Sequence, residues 1–245
     1  MKDQDQAPLG QNVFHYSRPE YEQALGDQLR RKIQDAPPGA VIELKPLVHR
    51  ISEPLMIERP LMLTGTPEKT VVVSSAFQQA MICQLKADER LVLRGLALIR
   101  LGGLFNGMVE VSGGEVDITH CRFFDLPQPN VDRFHGCALR LSGALTGTVA
   151  DCVVTEAAYN AIEVRGSAQP RLWRNLLYKN AGSGLVYYNE AGGSAVENNC
   201  SKNGGHGILL CNRAHPTLEN NICEQNKKDG IAYQCDGSAG SDFAF

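Results

Sequence analysis

The chain has 245 residues, 43% hydrophobic, 7% aromatic and 21% charged, with 24 glycines and a net charge of −3. Near-neutral charge with no Lys or Arg cluster argues against bulk nucleic-acid binding, and no apolar run is long enough for a membrane-spanning helix. The polar start Met1-Lys2-Asp3 lacks the apolar stretch of a signal peptide, so the expected location is the cytoplasm; a leader already removed would place the protein in a secreted or periplasmic setting instead.

Residues 1–16 read as an extended or disordered segment. Ser17-Arg18-Pro19-Glu20 then combines an N-cap residue, an early proline and a glutamate three residues on, which is a helix-start signature. Tyr21, Leu25, Leu29 and Ile33 recur every four residues as one apolar stripe, and Pro37-Pro38-Gly39 stops the pattern. A sheet end that exposes its backbone groups needs cover. The spacing predicts a capping helix over 17–36 laid across such an end.

From residue 37 to 245 the pattern becomes a repeat. Ala138-Leu139-Arg140-Leu141, Ala161-Ile162-Glu163-Val164, Gly184-Leu185-Val186-Tyr187, Gly207-Ile208-Leu209-Leu210 and Gly230-Ile231-Ala232-Tyr233 follow one another at a spacing of 23 residues. Val109-Glu110-Val111 precedes the series by 30, so a longer loop is inserted there. A fixed period of this size signals a repeat architecture. Two short apolar runs per repeat, bounded by Asn and Gly, are too short for a helix pair and suit a chain that winds once per repeat. The expected fold is an all-β parallel β-helix of about 23 residues per coil and eight or so coils.

Period-2 alternation sets the facing. Leu139 and Leu141, Ile162 and Val164, Leu185 and Tyr187, Ile208 and Leu210, and Ile231 and Tyr233 are expected to point inward. Asn180, Asn203 and Asn226 recur at the corners, where Asn tolerates left-handed backbone, and are expected to stack as one ladder. Eight cysteines (83, 121, 137, 152, 200, 211, 223 and 235) include no CxxC pair, and Cys200 and Cys223 follow the coil period. They read as reduced, stacked thiols rather than a zinc site.

Three segments carry a family resemblance: Pro37-Pro38-Gly39 with Val41-Ile42-Glu43-Leu44-Lys45-Pro46, the run Ile51 to Gly65, and His215-Pro216-Thr217-Leu218-Glu219-Asn220-Asn221-Ile222 with Asn226 and Gly230. They resemble the right-handed, pectate-lyase-like parallel β-helix superfamily, and within it the CASH repeat of NosD-type proteins and of F-box proteins with β-helix modules. The right hand of the helix comes from this resemblance alone. Relatives that cleave or epimerise acidic sugars use clustered Asp, often with Ca²⁺, plus a Lys, Arg or His base. The Asp-Pro-His-Asp and Asn-Thr-Asp signatures expected of two such groups are absent from this chain.

Two outward columns are candidates for function. One reads Glu110, Arg140, Glu163, Val186, Leu209, Ala232, an alternating-charge ladder that turns apolar. The other reads His120, Asp151, Arg174, Asn198, Asn220, beside the inserted loop at 125–135. His120, Asp132, His135 and Asp151 are the candidate acid–base group if this is an enzyme. Trp173, Tyr178, Val186, Tyr188 and Leu209 are the candidate binding residues. The first expectation is a non-catalytic recognition or scaffold module for a protein or carbohydrate partner, with no cofactor, no metal, no nucleic acid and no membrane. The alternative is a polysaccharide lyase, epimerase or glycoside hydrolase acting under the 125–135 loop, and only that reading brings in Ca²⁺. The chain shows no polar capping helix after the last repeat. Phe243 and Phe245 folding over that end, end-to-end or face-to-face self-association, and a longer parent protein are the three expectations for it.

Overall fold

The computed structural model describes residues 18–74, 79–101, 106–126 and 136–234. After one helix, α1 (Pro19–Asp35), every element is a parallel strand, and the strands stack on three faces. The first face holds β1 (Ala40–Glu43), β4 (Leu61–Thr64), β7 (Arg90–Arg94), the second halves of β9 (Val109–Thr119) and β11 (Cys137–Ala150), then β14 (Arg171–Trp173), β17 (Ser194–Val196) and β20 (Thr217–Glu219). The second face is a separate sheet of β2 (Val48–Ile51), β5 (Val71–Ser74), β8 (Ala97–Leu101), β10 (Arg122–Leu126), β12 (Val153–Thr155), β15 (Leu176–Tyr178) and β18 (Asn199–Ser201). The third face takes β3 (Leu55–Ile57), β6 (Met81–Gln84), the first halves of β9 and β11, then β13 (Asn160–Val164), β16 (Leu185–Tyr187), β19 (Ile208–Cys211) and β21 (Ile231–Gln234). The chain thus visits the faces in rotation through seven full coils and into an eighth.

Burial follows the expected alternation. Leu139, Leu141, Ile162, Val164, Leu185, Tyr187 and Ile208 are fully buried, and one apolar column runs from Leu29 in α1 to Leu210. Ile231 and Tyr233, in the last described strand, occupy the inward register but are 47% and 76% exposed. A second apolar cluster, Val71, Val73, Ala97 and Ile99, packs on the outer side of the second face.

Two asparagine ladders line the interior corners. Asn203 Oδ1 accepts the Asn180 backbone N–H at 3.1 Å and its Nδ2 at 3.0 Å, while Asn203 Nδ2 donates to the Leu177 carbonyl at 3.0 Å; Asn226 repeats the arrangement one coil on. The second ladder, Asn175–Asn198–Asn221, has the same bonds. Left-handed backbone sits one residue earlier than the sequence suggested. Lys179, Lys202 and Gln225 have φ of 56°, 59° and 56°, and each following Asn turns inward. The reason is hydrogen-bonding capacity: one amide satisfies a corner N–H of the coil before and a carbonyl, which a solvent-facing Asn could not do.

Helix α1 covers the N-terminal end, packed on β2 and β3, with Leu25, Leu29 and Ile33 buried. Two details differ from the expected helix. Its N-cap is Arg18 with no side-chain capping bond, and Pro19 takes the first turn. Tyr21 is 52% exposed, while Glu22 and Gly26 are buried in its stead, because Glu22 pairs with Arg50 at 2.9 Å and Gly26 meets the Arg50 backbone. A Cβ on Gly26 would lie 1.8 Å from the Arg50 carbonyl oxygen. Gly26→Ala improves helix propensity by about 1 kcal/mol, yet the overlap costs more. The expected outcome is a helix that forms but no longer docks, read as faster amide exchange at Leu29 and Ile33 with helical circular dichroism retained.

Candidate functional site

The corner between the first and second faces presents one side chain per coil. His120, Asp151, Arg174, Glu197 and Asn220 all have left-handed backbone, with φ between 51° and 56°. The backbone N–H groups of the first four bond to the next coil, from His120 to Ala150 (3.2 Å), Asp151 to Trp173 (3.1 Å), Arg174 to Val196 (3.1 Å) and Glu197 to Glu219 (2.9 Å). The side chains are therefore fanned outward on a rigid edge with roughly 4.8 Å between neighbours. The structure puts Glu197 in this column where the sequence reading had Asn198, which is fully buried in the ladder.

Trp173 lies beside this corner on the first face. Arg174 stacks over its ring at 3.8 Å and Arg171 at 4.9 Å, and its Nε1 donates to Glu197 at 3.3 Å. Arg174 also donates to Asp151 at 2.8 Å; that bond first, with the charges of Asp151 and Glu197, holds the guanidinium above its ordinary pKa against opposing desolvation. Around Trp173 the first face is open. Thr148, Arg171, Ser194 and Thr217 form one outward row, and Trp173, Val196 and Glu219 form the next, each at least partly exposed.

Of the candidate acid–base group, the described residues place His120 and Asp151. His120 and Asp151 are neighbours in the corner column, but Asp151 is ion-paired with Arg174. The chain enters the inserted loop after Leu126, at the far end of β10, about 17 Å of extended chain from the His120 corner. Asp132 and His135 lie outside the described residues. The five candidate binding residues are also dispersed. Trp173 is on the first face, Tyr178 on the second, and Val186, Tyr188 and Leu209 on or beside the third. Val186 holds its outward register yet is fully buried, so it presents nothing to a partner.

The third face carries the charge ladder. Arg140 Nη1 meets Glu110 Oε1 at 2.6 Å, and its Nε meets Glu163 Oε2 at 3.1 Å. Glu163 is 2% exposed and also accepts from Arg165 at 2.9 Å and Asn160 Nδ2 at 2.9 Å. Both its oxygens are engaged by neighbours, which suits a structural carboxylate better than a proton shuttle. Arg165 stacks over Tyr188 at 4.5 Å, and burial first, then the Glu163 charge, pushes the Tyr188 hydroxyl up, out of reach of proton transfer near neutral pH. Sequence reasoning missed the pair Arg100–Asp125, where Nε and Nη2 donate to Asp125 at 2.7 and 3.0 Å with both residues almost fully buried. Their spacing of one coil was the available signal. No group of metal-ligating side chains occurs among the described residues.

Residues 107–242, more than half of the chain, match the family described as the right-handed β-helix region. Searches of curated proteins and of solved structures found no match.

Proposed function

The chain belongs to the right-handed β-helix family, and from that premise we propose that it is a non-catalytic recognition module that binds a protein or carbohydrate partner through the first face. One observation carries the reading. The acids that the sequence placed in the two columns are ion-paired with their own neighbours, Asp151 with Arg174 and Glu110 and Glu163 with Arg140, whereas the Trp173 face stands open. An indole held by two guanidiniums is pre-organised, and a fixed aromatic anchor loses little entropy on binding. Rows of Thr, Ser and Arg at coil spacing add hydrogen-bond donors along a straight line.

The test is retention on a panel of neutral and acidic polysaccharides by affinity electrophoresis, alongside assays for new reducing ends, unsaturated uronate and epimerised residues, with and without Ca²⁺. The expected result is no turnover, with retention by at least one polymer weakened about tenfold in Trp173→Ala, the equivalent of about 1.4 kcal/mol. No retention directs the search to protein partners of the same face. Turnover that Asp151→Ala abolishes overturns the reading and makes the corner column catalytic.

A further inference from the structure

The second face ends on a stacked pair of thiols. Cys200 lies in β18, in register with Leu177 of β15, and the next coil is held by the bridge between Asn199 and Ile222 and by the Cys200 N–H bond to the Ile222 carbonyl at 2.8 Å. Cys223 therefore sits in register directly over Cys200. In-register neighbours in a parallel stack have Cα atoms roughly 4.8 Å apart. That falls within the range of about 4.4–6.8 Å that a disulfide spans. Both thiols are free.

A second pair provides the contrast. Cys121 and Cys152 are also stacked one coil apart, but both are buried to 1% exposure or less, under coils on either side, and their thiols bond to backbone carbonyls. Cys200 is equally buried, whereas Cys223 is partly exposed. It lies in the last described coil, where Ile222, Ile231 and Tyr233 are also exposed.

We infer that Cys223 and Cys200 form a thiol–disulfide exchange site for a low-molecular-weight disulfide, with Cys223 the attacking thiol and Cys200 the resolving one. Cys223, as thiolate, attacks one sulfur of the small disulfide and releases one small thiolate, leaving a mixed disulfide. Cys200 then gives up its proton and attacks Cys223 Sγ, which releases the second small thiol. The protein dithiol is oxidised by two electrons and the small disulfide is reduced to two thiols. The product is a bond between the seventh coil and the eighth, the last two described coils. The neighbouring Cys200 thiol lowers the pKa of Cys223 against the opposing effect of burial, while the Cys223 thiol and burial raise Cys200 well above its ordinary value, which agrees with these roles.

Incubation of the full chain with oxidised glutathione, followed by acid quench and intact mass, tests the assignment. The wild type is expected to lose the mass of two hydrogens, and amide exchange in β20 and β21 is expected to slow. Cys200→Ser should instead accumulate one glutathione adduct at Cys223. Cys223→Ser should form neither product, and Cys121→Ser/Cys152→Ser should behave as the wild type. Cys235→Ser is included because Cys235 lies outside the described residues. A cross-link that survives Cys200→Ser or needs Cys235, an adduct that persists in Cys223→Ser, or a wild type that stays fully reduced overturns it.

Discussion

Asp125→Ala is expected to destabilise the protein by about 3–5 kcal/mol, measured as a lowered urea midpoint, because it leaves the Arg100 guanidinium charged and unpaired inside the fold. Arg100 in β8 and Asp125 in β10 are 1% and 2% exposed, on adjacent strands in register. Arg100 donates twice to the carboxylate and once each to the Asn106 and Cys137 carbonyls, at 3.0 and 3.5 Å. Asp125 also accepts the Ala158 N–H at 2.9 Å from the following coil. The pair therefore ties three coils together where the second face turns into the third, next to both ends of the 127–135 segment. Replacing both partners by apolar residues removes the stranded charge. Arg100→Met/Asp125→Leu should be less destabilised than Asp125→Leu alone, although it abolishes more hydrogen bonds. It should still fall short of wild type, since the Ala158 N–H and two carbonyls lose their partners at about 1–3 kcal/mol each. Additive single and double effects would mean that water reaches the pair, and the argument from burial would fail.

The second large effect is expected in the asparagine ladders. Asn198 is fully buried; its Oδ1 accepts from Asn175 N–H and Nδ2 at 3.0 and 2.9 Å, and its Nδ2 donates to Leu172 and Asn221. Asn198→Ala strands an N–H and a carbonyl that no water can reach, for a loss of about 3–5 kcal/mol. Asn221 makes an equivalent set of bonds one coil later but is only partly buried. Water replaces the lost partners there, so Asn221→Ala should cost about 1 kcal/mol by the same reasoning. A gradient from Asn198 to Asn221, measured by urea denaturation of the two variants, separates ladder energetics from helix end effects. Equal losses at both positions would show that the last coil is as well sealed as the interior.

These contacts also show what was legible beforehand. The period and the alternation Leu139-Arg140-Leu141 to Ile208-Leu209-Leu210 sufficed for the parallel solenoid, its inward column and the Asn180–Asn203–Asn226 ladder. The same alternation assigned Val186 outward correctly but could not say that it is buried, since period 2 reports direction and not cover. The corner register slipped by one at Asn198, because Glu197-Asn198-Asn199 offers two polar residues for one outward slot. Only the need to satisfy buried corner amides selects Glu197 as the left-handed residue and turns Asn198 inward.

The site shows the division most clearly. Residue types alone proposed His120 with Asp151, and Trp173 with Tyr178, Val186, Tyr188 and Leu209. The winding of the coil put Trp173 beside Asp151 and separated it from the other four by whole faces. Neighbours in a stacked coil are residues about one period apart, so pairings such as Asp151–Arg174, Trp173–Glu197 and Cys200–Cys223 follow from the period once it is known. Neighbours across a corner depend on where each strand ends and how the backbone turns, and no pattern in the chain states that. By itself the sequence determined the architecture, because a repeat can bury its apolar face only by stacking on the next. The tertiary structure decided which charges are neutralised, which face is open and which thiol is reachable, because those depend on cover, and cover is a property of the assembled coils.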